Sequence, residues 1–374
     1  MSLDPVFGGG TAERAFKIGR FLSKHGIECD ILSVVTRLTH DHLKALSGVK
    51  IIKIKCLSER FYIPNFQIRD INAAVANADI IHLMNHWTII NALIYIAARK
   101  MGKPYVVCPA GALPITGRSK FVKRFYNHLI GKRIIADADA HIAISGNEIV
   151  QYENYGIGSS EITIIPNGID PLDYNAPNVS NFRRKFGLGS HPFILFVGRL
   201  NRIKGPDLLL HAYAKLEQAY RKFHLVYAGP DGGMLSELIN KVKKLKLEDR
   251  VHFTGYLGGI EKSSAYHAAR LLVIPSRQEA MSIVALEAGV TGTPVLLTDR
   301  CGFDAVADIG GGMVVNATVA GIKRGLEYLL KEKTSDLTKW GQNLKRFTLD
   351  NYTWDVVIDS YIELFHLVVH RERK

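Results

Sequence analysis

The sequence contains 374 residues, of which 47% are hydrophobic and 22% are charged. These ordinary globular values exclude a disordered or fibrous chain, and the length exceeds what one hydrophobic core usually serves, so two domains are expected. The formal net charge of +13 implies anionic partners: nucleotide phosphates, an acidic acceptor, an anionic membrane face or a nucleic acid.

Cysteines and apolar segments narrow the protein class. The four cysteines are widely scattered without a CxxC pair, which favours reduced thiols in a cytoplasmic protein over a disulfide or zinc framework. No stretch approaches the roughly 20 apolar residues that span a bilayer, and the N-terminus lacks the features of a signal peptide. Because the basic residues are dispersed and form no recognised binding motif, nucleic acid is not expected as a partner.

Short β-branched runs alternate with longer helical patterns, which is typical of parallel α/β architecture. The predicted strands of the first half are 27–35, 49–55, 79–83, 104–108, 140–144 and 162–165. Those of the second half are 193–197, 224–228, 251–254, 271–274, 294–298 and 313–315. We therefore predict two Rossmann-like domains, 1–172 and 173–352, with 353–374 forming a helix that packs back on the first domain.

The first motif, Gly8-Gly9-Gly10, opens a helical pattern. Glycines at a helix N-terminus let backbone N–H groups approach an anion, although a tight turn without a ligand is the alternative. A buried strand should precede this turn, yet only seven residues do. The strand is expected to be truncated, to be lost because the start lies at an internal Met, or to be reduced to a stub.

Residues 118–133 hold six Lys or Arg residues and no acid. The apolar residues Phe121, Phe125, Leu129 and Ile130 recur at helical spacing, so the segment is predicted to be a basic amphipathic helix. It forms either a solvated helix face or a surface that docks on an anionic membrane.

Two further features of the first half carry competing interpretations. His86 follows the strand 79–83, where it either lines an acceptor cleft or serves only the structure. Asp137-Ala138-Asp139 imitates a metal-binding DxD motif, but acids commonly occupy such a position between a helix and a strand. No other group of His, Cys and acids has ligand spacing, so no metal site is predicted.

In the second half, Gly198-Arg199-Leu200 follows the strand 193–197, and Lys204-Gly205 comes five residues after the arginine. Arginine offers a bidentate fork and lysine a point charge for phosphate. A surface loop is the alternative. At the carboxyl end of a parallel strand, where α/β proteins bind ligands, this pattern favours a diphosphate site.

Two glutamates, Glu279 and Glu287, are separated by seven residues after the strand 271–274. Residues 281–284 are predicted to form the first helical turn, whose free N–H groups and positive dipole suit a phosphate. Glu287, further along the helix, can accept hydrogen bonds from a ribose hydroxyl pair. The alternative has Glu279 capping the helix and Glu287 on a solvated face.

These motifs, together with residues 165–170 and Gly292-Thr293-Pro294, resemble glycosyltransferase family 4, whose retaining members have the GT-B fold. The resemblance implies two Rossmann-like domains facing a central cleft, and no metal or other cofactor. The 79–87 and 108–113 segments look like a subgroup that builds bacterial polysaccharides. Where many relatives carry a histidine near the sugar, this chain has Pro109-Ala110-Gly111.

The resemblance also implies residue roles. Arg199 and Lys204 would neutralise the donor diphosphate, and Glu279 would contact the transferred sugar, so these three are the expected catalytic residues. The expected donor-binding residues are Gly9, Gly10, Arg199, Lys204, Gly255, Ala280, Met281, Ser282, Ile283, Val284 and Glu287. The acceptor side is expected around His86 and Gly111.

The expected function is retaining transfer of a sugar from a UDP- or GDP-linked donor to a glycan or lipid-linked acceptor in surface polysaccharide synthesis. Such a protein would be cytoplasmic or peripheral at the inner membrane face. The alternatives are an epimerase or phosphorylase of the same fold, or a catalytically silent nucleotide-binding relative. A Rossmann oxidoreductase is disfavoured because GxGxxG is absent.

Overall fold

The computed structural model of the protein describes residues 3, 9–34, 46, 48–58, 63–65, 68–115, 119–220 and 222–371. The chain divides into two compact units. The N-terminal unit comprises Met1–Asn167 and Trp354–Lys374, and the C-terminal unit comprises Gly168–Thr353. The sequence-based boundary at 172/173 lies a few residues beyond this division. Apart from Leu3, the segment that should hold the remnant of a first strand before the glycine turn lies outside the described residues.

The N-terminal unit alternates strands and helices. Its elements up to residue 164 are α1 (Gly9–Lys24), β1 (Cys29–Ser33), β2 (Val49–Lys53), β3 (Cys56–Ser58), β4 (Ile63–Pro64), α2 (Ile68–Asn77), β5 (Ile81–Met84), α3 (Ile89–Met101), β6 (Tyr105–Cys108), α4 (Lys120–Tyr126), a π-helical stretch (Asn127–Gly131), α5 (Lys132–Ala136), β7 (Ala140–Ala143), α6 (Ile149–Glu153) and β8 (Ile162–Ile164). Thr88 caps α3 at its start, and Gly102, in the left-handed conformation, ends it.

Strands β5, β6, β7 and β8 form a parallel sheet in that order, and β1 pairs in parallel with β2. Each of the six strands predicted for the first half is present. The antiparallel pair β3–β4 was missed because strands of three and two residues are too short to show an alternating pattern.

The C-terminal unit continues the α/β pattern. Its elements are α7 (Val179–Lys185), β9 (Phe193–Val197), α8 (Pro206–Ala214), β10 (His224–Ala228), α9 (Leu235–Lys244), β11 (Val251–Gly255), α10 (Gly259–Ala268), β12 (Leu271–Ile274), α11 (Ile283–Thr291), β13 (Val295–Thr298), α12 (Ala305–Asp308), β14 (Gly312–Val315), α13 (Val319–Lys331) and α14 (Thr334–Asn351). All six predicted strands are present within one residue of their expected ends.

These six strands form one parallel sheet in the order β11-β10-β9-β12-β13-β14. The central strands β9, β10 and β12 are buried almost throughout, as expected for a parallel sheet covered on both faces. The strand order reverses between β9 and β12, because the chain runs outward from β9 to β11 and then returns to β12. This reversal creates a topological switch point at the carboxyl ends of two adjacent strands.

The C-terminal helix α15 (Trp354–Val369) packs on α1 within the N-terminal unit. The rings of Phe21 and Trp354 lie 6.2 Å apart, and Lys24 Nζ lies 2.7 Å from an Asp355 carboxylate oxygen. Among the described residues, no helix combines the length and the apolar character that crossing a membrane requires.

Candidate donor-binding site

The loops that follow β9 and β12 meet at the switch point of the C-terminal unit. Arg199 and Lys204 lie on the first loop, and Glu279 lies on the second. Lys204 Nζ is 2.9 Å from Glu279 Oε1, and only 7% of the glutamate side chain is exposed. The Ser276 hydroxyl donates to the same oxygen. The structure therefore brings together two of the three predicted catalytic side chains.

Contacts between the two loops fix their positions. Gly205 has φ +68, and a Cβ there would lie 2.1 Å from the carbonyl oxygen of Pro275, so only glycine permits this approach. Arg277 donates to both carboxylate oxygens of Asp207, at 2.8 and 2.6 Å. Burial alone would raise the pKa of Asp207, but the Arg277 guanidinium lowers it below its usual value. These contacts therefore hold the two loops that carry Lys204 and Glu279 in a fixed arrangement.

Arg199 projects from a loop that is held at its backbone. The Leu200 N–H donates to the carbonyl of Pro230 on the loop after β10, at 2.9 Å. A Cβ at Gly232 would lie 2.7 Å from Cγ of Arg199, so this glycine leaves room for the arginine stem. The glycine-rich loop 229–233 was not singled out from the sequence, although glycines directly after a predicted strand were an available signal. Gly255 ends β11, two strands away from β9.

The start of α11 differs from the sequence prediction. The helix begins at Ile283, so the predicted first turn over 281–284 was wrong by two residues. The Ser282 N–H donates to the carbonyl of Cys301 at 3.1 Å and is therefore not available to a phosphate. Ile283 and Val284 occupy the first helical positions, whose N–H groups have no carbonyl partner within a helix.

The loop before α11 rests on the backbone after β13. Gly302 has φ +63, and a Cβ there would lie 1.9 Å from the carbonyl oxygen of Ala280. The neighbouring Cys301 is buried. Burial and the Glu279 carboxylate raise the pKa of its thiol to about 12, so it stays protonated and does not act as a nucleophile at neutral pH.

Glu287 lies on α11 with 7% of its side chain exposed. Its Oε1 is 2.5 Å from Lys262 Nζ, and its Oε2 accepts a hydrogen bond from the Tyr266 hydroxyl. Both partners come from α10. The alternative of a solvated Glu287 is therefore wrong. Lys262 and Tyr266 were missed because the sequence alone does not place α10 beside α11.

The histidine considered for the acceptor side is enclosed in the N-terminal unit. His86 is 1% exposed, and its Nε2 donates to Asn127 Oδ1 at 3.0 Å. The rings of Trp87, Tyr126 and Tyr155 surround it at centroid distances of 4.5 to 5.8 Å. Burial lowers the pKa of His86 to about 4. The imidazole therefore holds a strand-end loop in place and does not face solvent.

Gly111 and the loop around it are anchored by a buried carboxylate. The Gly111 N–H donates to Glu148 Oε1, and the Ile144 N–H donates to Glu148 Oε2 at 2.6 Å. Ala110 has a positive φ of 49°, so the backbone is strained at this strand end. Burial raises the pKa of Glu148 although both N–H groups and Arg14 oppose the shift. Sequence reasoning missed this anchor.

Gly9 and Gly10 open α1, as the sequence predicted. Further along this helix, Arg14 is only 2% exposed. It donates to Asn167 Oδ1 at 3.0 Å, to the carbonyl of Ile165 at 3.2 Å and to the Tyr361 hydroxyl. The first half of the motif at 165–170 therefore contributes to the structure of the N-terminal unit, because Ile165 and Asn167 receive a buried guanidinium.

The basic segment does not form one continuous α-helix. It divides into α4, the π-helical stretch and α5, and a Cβ at Gly131 would lie within 3 Å of the side chains of Asn127 and Tyr126. Phe121, Phe125 and Leu129 are 82%, 64% and 54% exposed, while Ile130 packs against the core. We define the basic apolar patch by its side chains: Lys120, Phe121, Val122, Lys123, Arg124, Phe125, Leu129, Lys132 and Arg133.

The acids of the DxD-like segment have structural partners. Asp137 accepts from the Tyr95 hydroxyl at 2.6 Å, and Asp139 accepts from the Tyr105 N–H at 2.9 Å. Within the part of the chain that the structure describes, no group of three or more His, Cys, Asp and Glu side chains is arranged to hold a metal ion.

Comparison with known proteins identifies the family. Residues 178–347 match the family described as glycosyl transferases group 1, and residues 8–172 match Glycosyltransferase Family 4. Because one match falls in each unit, the chain belongs to the family 4 glycosyltransferases, and its two parallel α/β domains have the GT-B fold.

Individual proteins support this assignment. A D-inositol 3-phosphate glycosyltransferase of Nocardia farcinica is 35% identical over 195 residues, which are 49% of this chain and 43% of that protein. The chain spans about half the length of such curated relatives, between 43% and 56%.

Solved structures show the same fold. Sucrose-phosphate synthase from Thermosynechococcus elongatus superposes with a TM-score of 0.78 at 20% identity, over 96% of this chain and 94% of that one. HepE of Anabaena, solved in complex with UDP and glucose, gives a TM-score of 0.76 at 16% identity, over 96% of each chain. The predicted fold class is confirmed.

Proposed function

We propose that this glycosyltransferase uses a nucleoside diphosphate sugar, UDP- or GDP-linked, and binds it at the switch point of the C-terminal unit. The observation that carries the proposal is the pairing of Lys204 with Glu279 across that point. At that point a cation that can bind phosphate lies within 3 Å of a carboxylate that can accept hydrogen bonds from sugar hydroxyls. The solved complex of HepE with UDP and glucose is consistent with such a donor.

In the proposed reaction, the bond between the sugar and the diphosphate breaks and negative charge develops on the leaving phosphate. Arg199 and Lys204 neutralise that charge, and the N–H groups of Ile283 and Val284 add the positive end of the α11 dipole. Glu279 contacts the sugar, and as Lys204 turns to the phosphate the carboxylate becomes available to hydroxyl groups. The acceptor hydroxyl attacks the face from which the diphosphate departs and gives its proton to the departing phosphate oxygen, so the anomeric configuration is retained.

The proposed acceptor is a glycan or lipid-linked molecule in surface polysaccharide synthesis. The proposed location is the cytoplasm, with peripheral attachment at the inner membrane face. The basic apolar patch supports the membrane partner, because exposed phenylalanines beside lysines and arginines suit the headgroup region of an anionic bilayer. A solvated helix face needs no such apolar side chains.

Product analysis tests the function. We would incubate the protein with UDP-, GDP- and ADP-sugars, with and without a panel of polyprenyl-linked glycans and inositol phosphates, and identify the products by mass spectrometry and proton NMR. Transfer that requires an acceptor, with the donor anomer retained, supports the proposal. Conversion of the nucleotide sugar alone would identify an epimerase, and no turnover of any donor would favour a silent relative.

A further inference from the structure

Two residues of α10 hold the carboxylate of Glu287. Lys262 and Tyr266 are four positions apart, which places them on one face of the helix. Lys262 Nζ lies 2.5 Å from Oε1, and the Tyr266 hydroxyl donates to Oε2. The lysine side chain is 27% exposed, whereas Tyr266 is fully buried.

We infer that Lys262 is a positioning residue that gives the donor site its selectivity for ribose over 2′-deoxyribose. The inference rests on the proposed role of Glu287 as acceptor for the ribose hydroxyls. A carboxylate has about four lone-pair positions. Lys262 and Tyr266 each use one, on different oxygens, so one position on each oxygen stays open for the 2′- and 3′-hydroxyls.

The ammonium group of Lys262 orients the Glu287 carboxylate and compensates its charge, which an apolar residue at this position could not do. The terminal torsion of a glutamate is broad, so a carboxylate held on one oxygen alone would rotate and lose alignment with a diol. A buried carboxylate also requires a compensating charge. Lys262 supplies the second anchor for the Glu287 carboxylate and also the compensating charge. Its Nζ lies 5.9 Å from the centre of the Tyr174 ring.

Calorimetric titration tests this inference. The wild type and Lys262→Met would each be titrated with three ligand pairs: UDP and 2′-deoxy-UDP, GDP and 2′-deoxy-GDP, ADP and 2′-deoxy-ADP. We expect the wild type to prefer the ribonucleotide of its tightest pair by about tenfold, the value of one hydrogen bond to a charged group. Lys262→Met should lose most of that preference, because the ribonucleotide loses the contacts of both hydroxyls with Glu287 whereas the 2′-deoxy ligand loses only that of its 3′-hydroxyl.

Two matched variants separate positioning from general stability. Lys262→Arg retains the charge and should retain most of the preference. Lys185→Met removes an exposed lysine of α7 that pairs with Glu261 of α10, the residue before Lys262, and should bind every ligand as the wild type does. Thermal unfolding of each variant confirms that the C-terminal unit is folded.

Each outcome bears on a different claim. A wild type that binds none of the ligands contradicts the proposed donor site itself. A wild type that binds both members of its tightest pair equally removes the ribose contact of Glu287, and with it the role of Lys262, but leaves the diphosphate site untouched. A wild type that prefers ribose while Lys262→Met keeps the same preference overturns only the role of Lys262. An equal loss of affinity for both members of the pair in Lys262→Met also overturns it, because the effect would not involve the 2′-hydroxyl.

Discussion

Lys204 and Glu279 form an ion pair, with 2.9 Å between Nζ and Oε1, although they lie 75 positions apart in the sequence. They meet because β9 and β12 are adjacent in the sheet and their following loops leave it at the same edge. The pair is largely shielded from water, since Glu279 is 7% exposed at its side chain and Lys204 31%. In the proposed mechanism each residue exchanges this partner for part of the donor.

Glu279→Gln should separate binding from transfer. Glutamine preserves the size of the side chain and can accept hydrogen bonds from Ser276 and Lys204, so we expect the affinity for nucleoside diphosphate to change less than about threefold. Transfer should fall by about a hundredfold or more, because the charge near the reacting sugar is lost. Calorimetry and initial transfer rates measure the two effects. The control is Glu327→Gln, which alters a partly exposed pair with Lys323 on α13. Full transfer activity would remove Glu279 from the catalytic residues.

Gly302→Ala should destabilise the loop before α11. The new Cβ would lie 1.9 Å from the Ala280 carbonyl oxygen, at a φ of +63. We expect a loss of about 3 kcal/mol or more in the free energy of unfolding, measured by urea denaturation. Gly187→Ala is the matched control, because Gly187 has the same φ and nothing within 4 Å of its Cβ position. It should lose only about 1 kcal/mol. Equal losses would show that the close contact with Ala280 has no energetic effect.

The positions of Arg199, Lys204 and Glu279 at the sheet edge were predictable because each follows a strand that the sequence identifies. Phe193–Val197 and Leu271–Ile274 are continuous apolar runs, and the polar residues after them lie at the sheet edge in any parallel arrangement. The order of the strands in the sheet could not be predicted in this way, because the pairing of β9 with β12 depends on tertiary packing. The contact of Lys204 with Glu279 was therefore not predictable.

The N-terminal unit was predicted less completely for a related reason. Its polar residues are held by partners distant in sequence: Arg14 contacts Asn167 and Tyr361, and Glu148 contacts Gly111. A buried arginine on an amphipathic helix looks like any surface arginine in the sequence. The sequence placed the strand ends to within two residues, but the burial of His86 follows from how three aromatic rings pack around it.

The stability of the N-terminal unit should fall in mild acid. His86 has a pKa of about 4 in the folded protein, against 6.5 for an ordinary imidazole. As the pH falls through this interval the unfolded chain binds the proton first, so stability that is present at pH 7 is progressively lost between pH 6.5 and 4. We expect about 2 kcal/mol of this loss between pH 7 and 5 to come from His86.

His86→Gln isolates that contribution, since glutamine can still donate to Asn127 but does not titrate. Urea unfolding followed by the fluorescence of the adjacent Trp87 measures it at both pH values. The variant should show a correspondingly smaller pH dependence, while His366→Gln, at an exposed position on α15, should behave as the wild type. An unchanged pH dependence in His86→Gln would contradict the assignment.

The basic apolar patch should bind anionic vesicles. Phe121→Asp and Phe125→Asp each remove an exposed apolar side chain and add a negative charge, so each should weaken binding to phosphatidylglycerol-containing vesicles by about tenfold or more. Flotation at low and high salt measures the effect, and salt should weaken wild-type binding. Leu172→Asp is the control, because Leu172 is 71% exposed in the C-terminal unit. If the wild type does not bind the vesicles, the patch is a solvated helix face.

Titration of the wild type, Arg199→Ala and Lys204→Ala with UDP, GDP and ADP tests the donor site most directly. Each substitution removes one charged phosphate contact, which is worth about 1.5–3 kcal/mol. Each should therefore lower the affinity for the preferred nucleotide by about tenfold or more. Lys323→Ala, which removes a partly exposed lysine paired with Glu327 on α13, should bind as the wild type does. Unchanged affinity in both Arg199→Ala and Lys204→Ala would contradict the assignment of the donor diphosphate to the switch point.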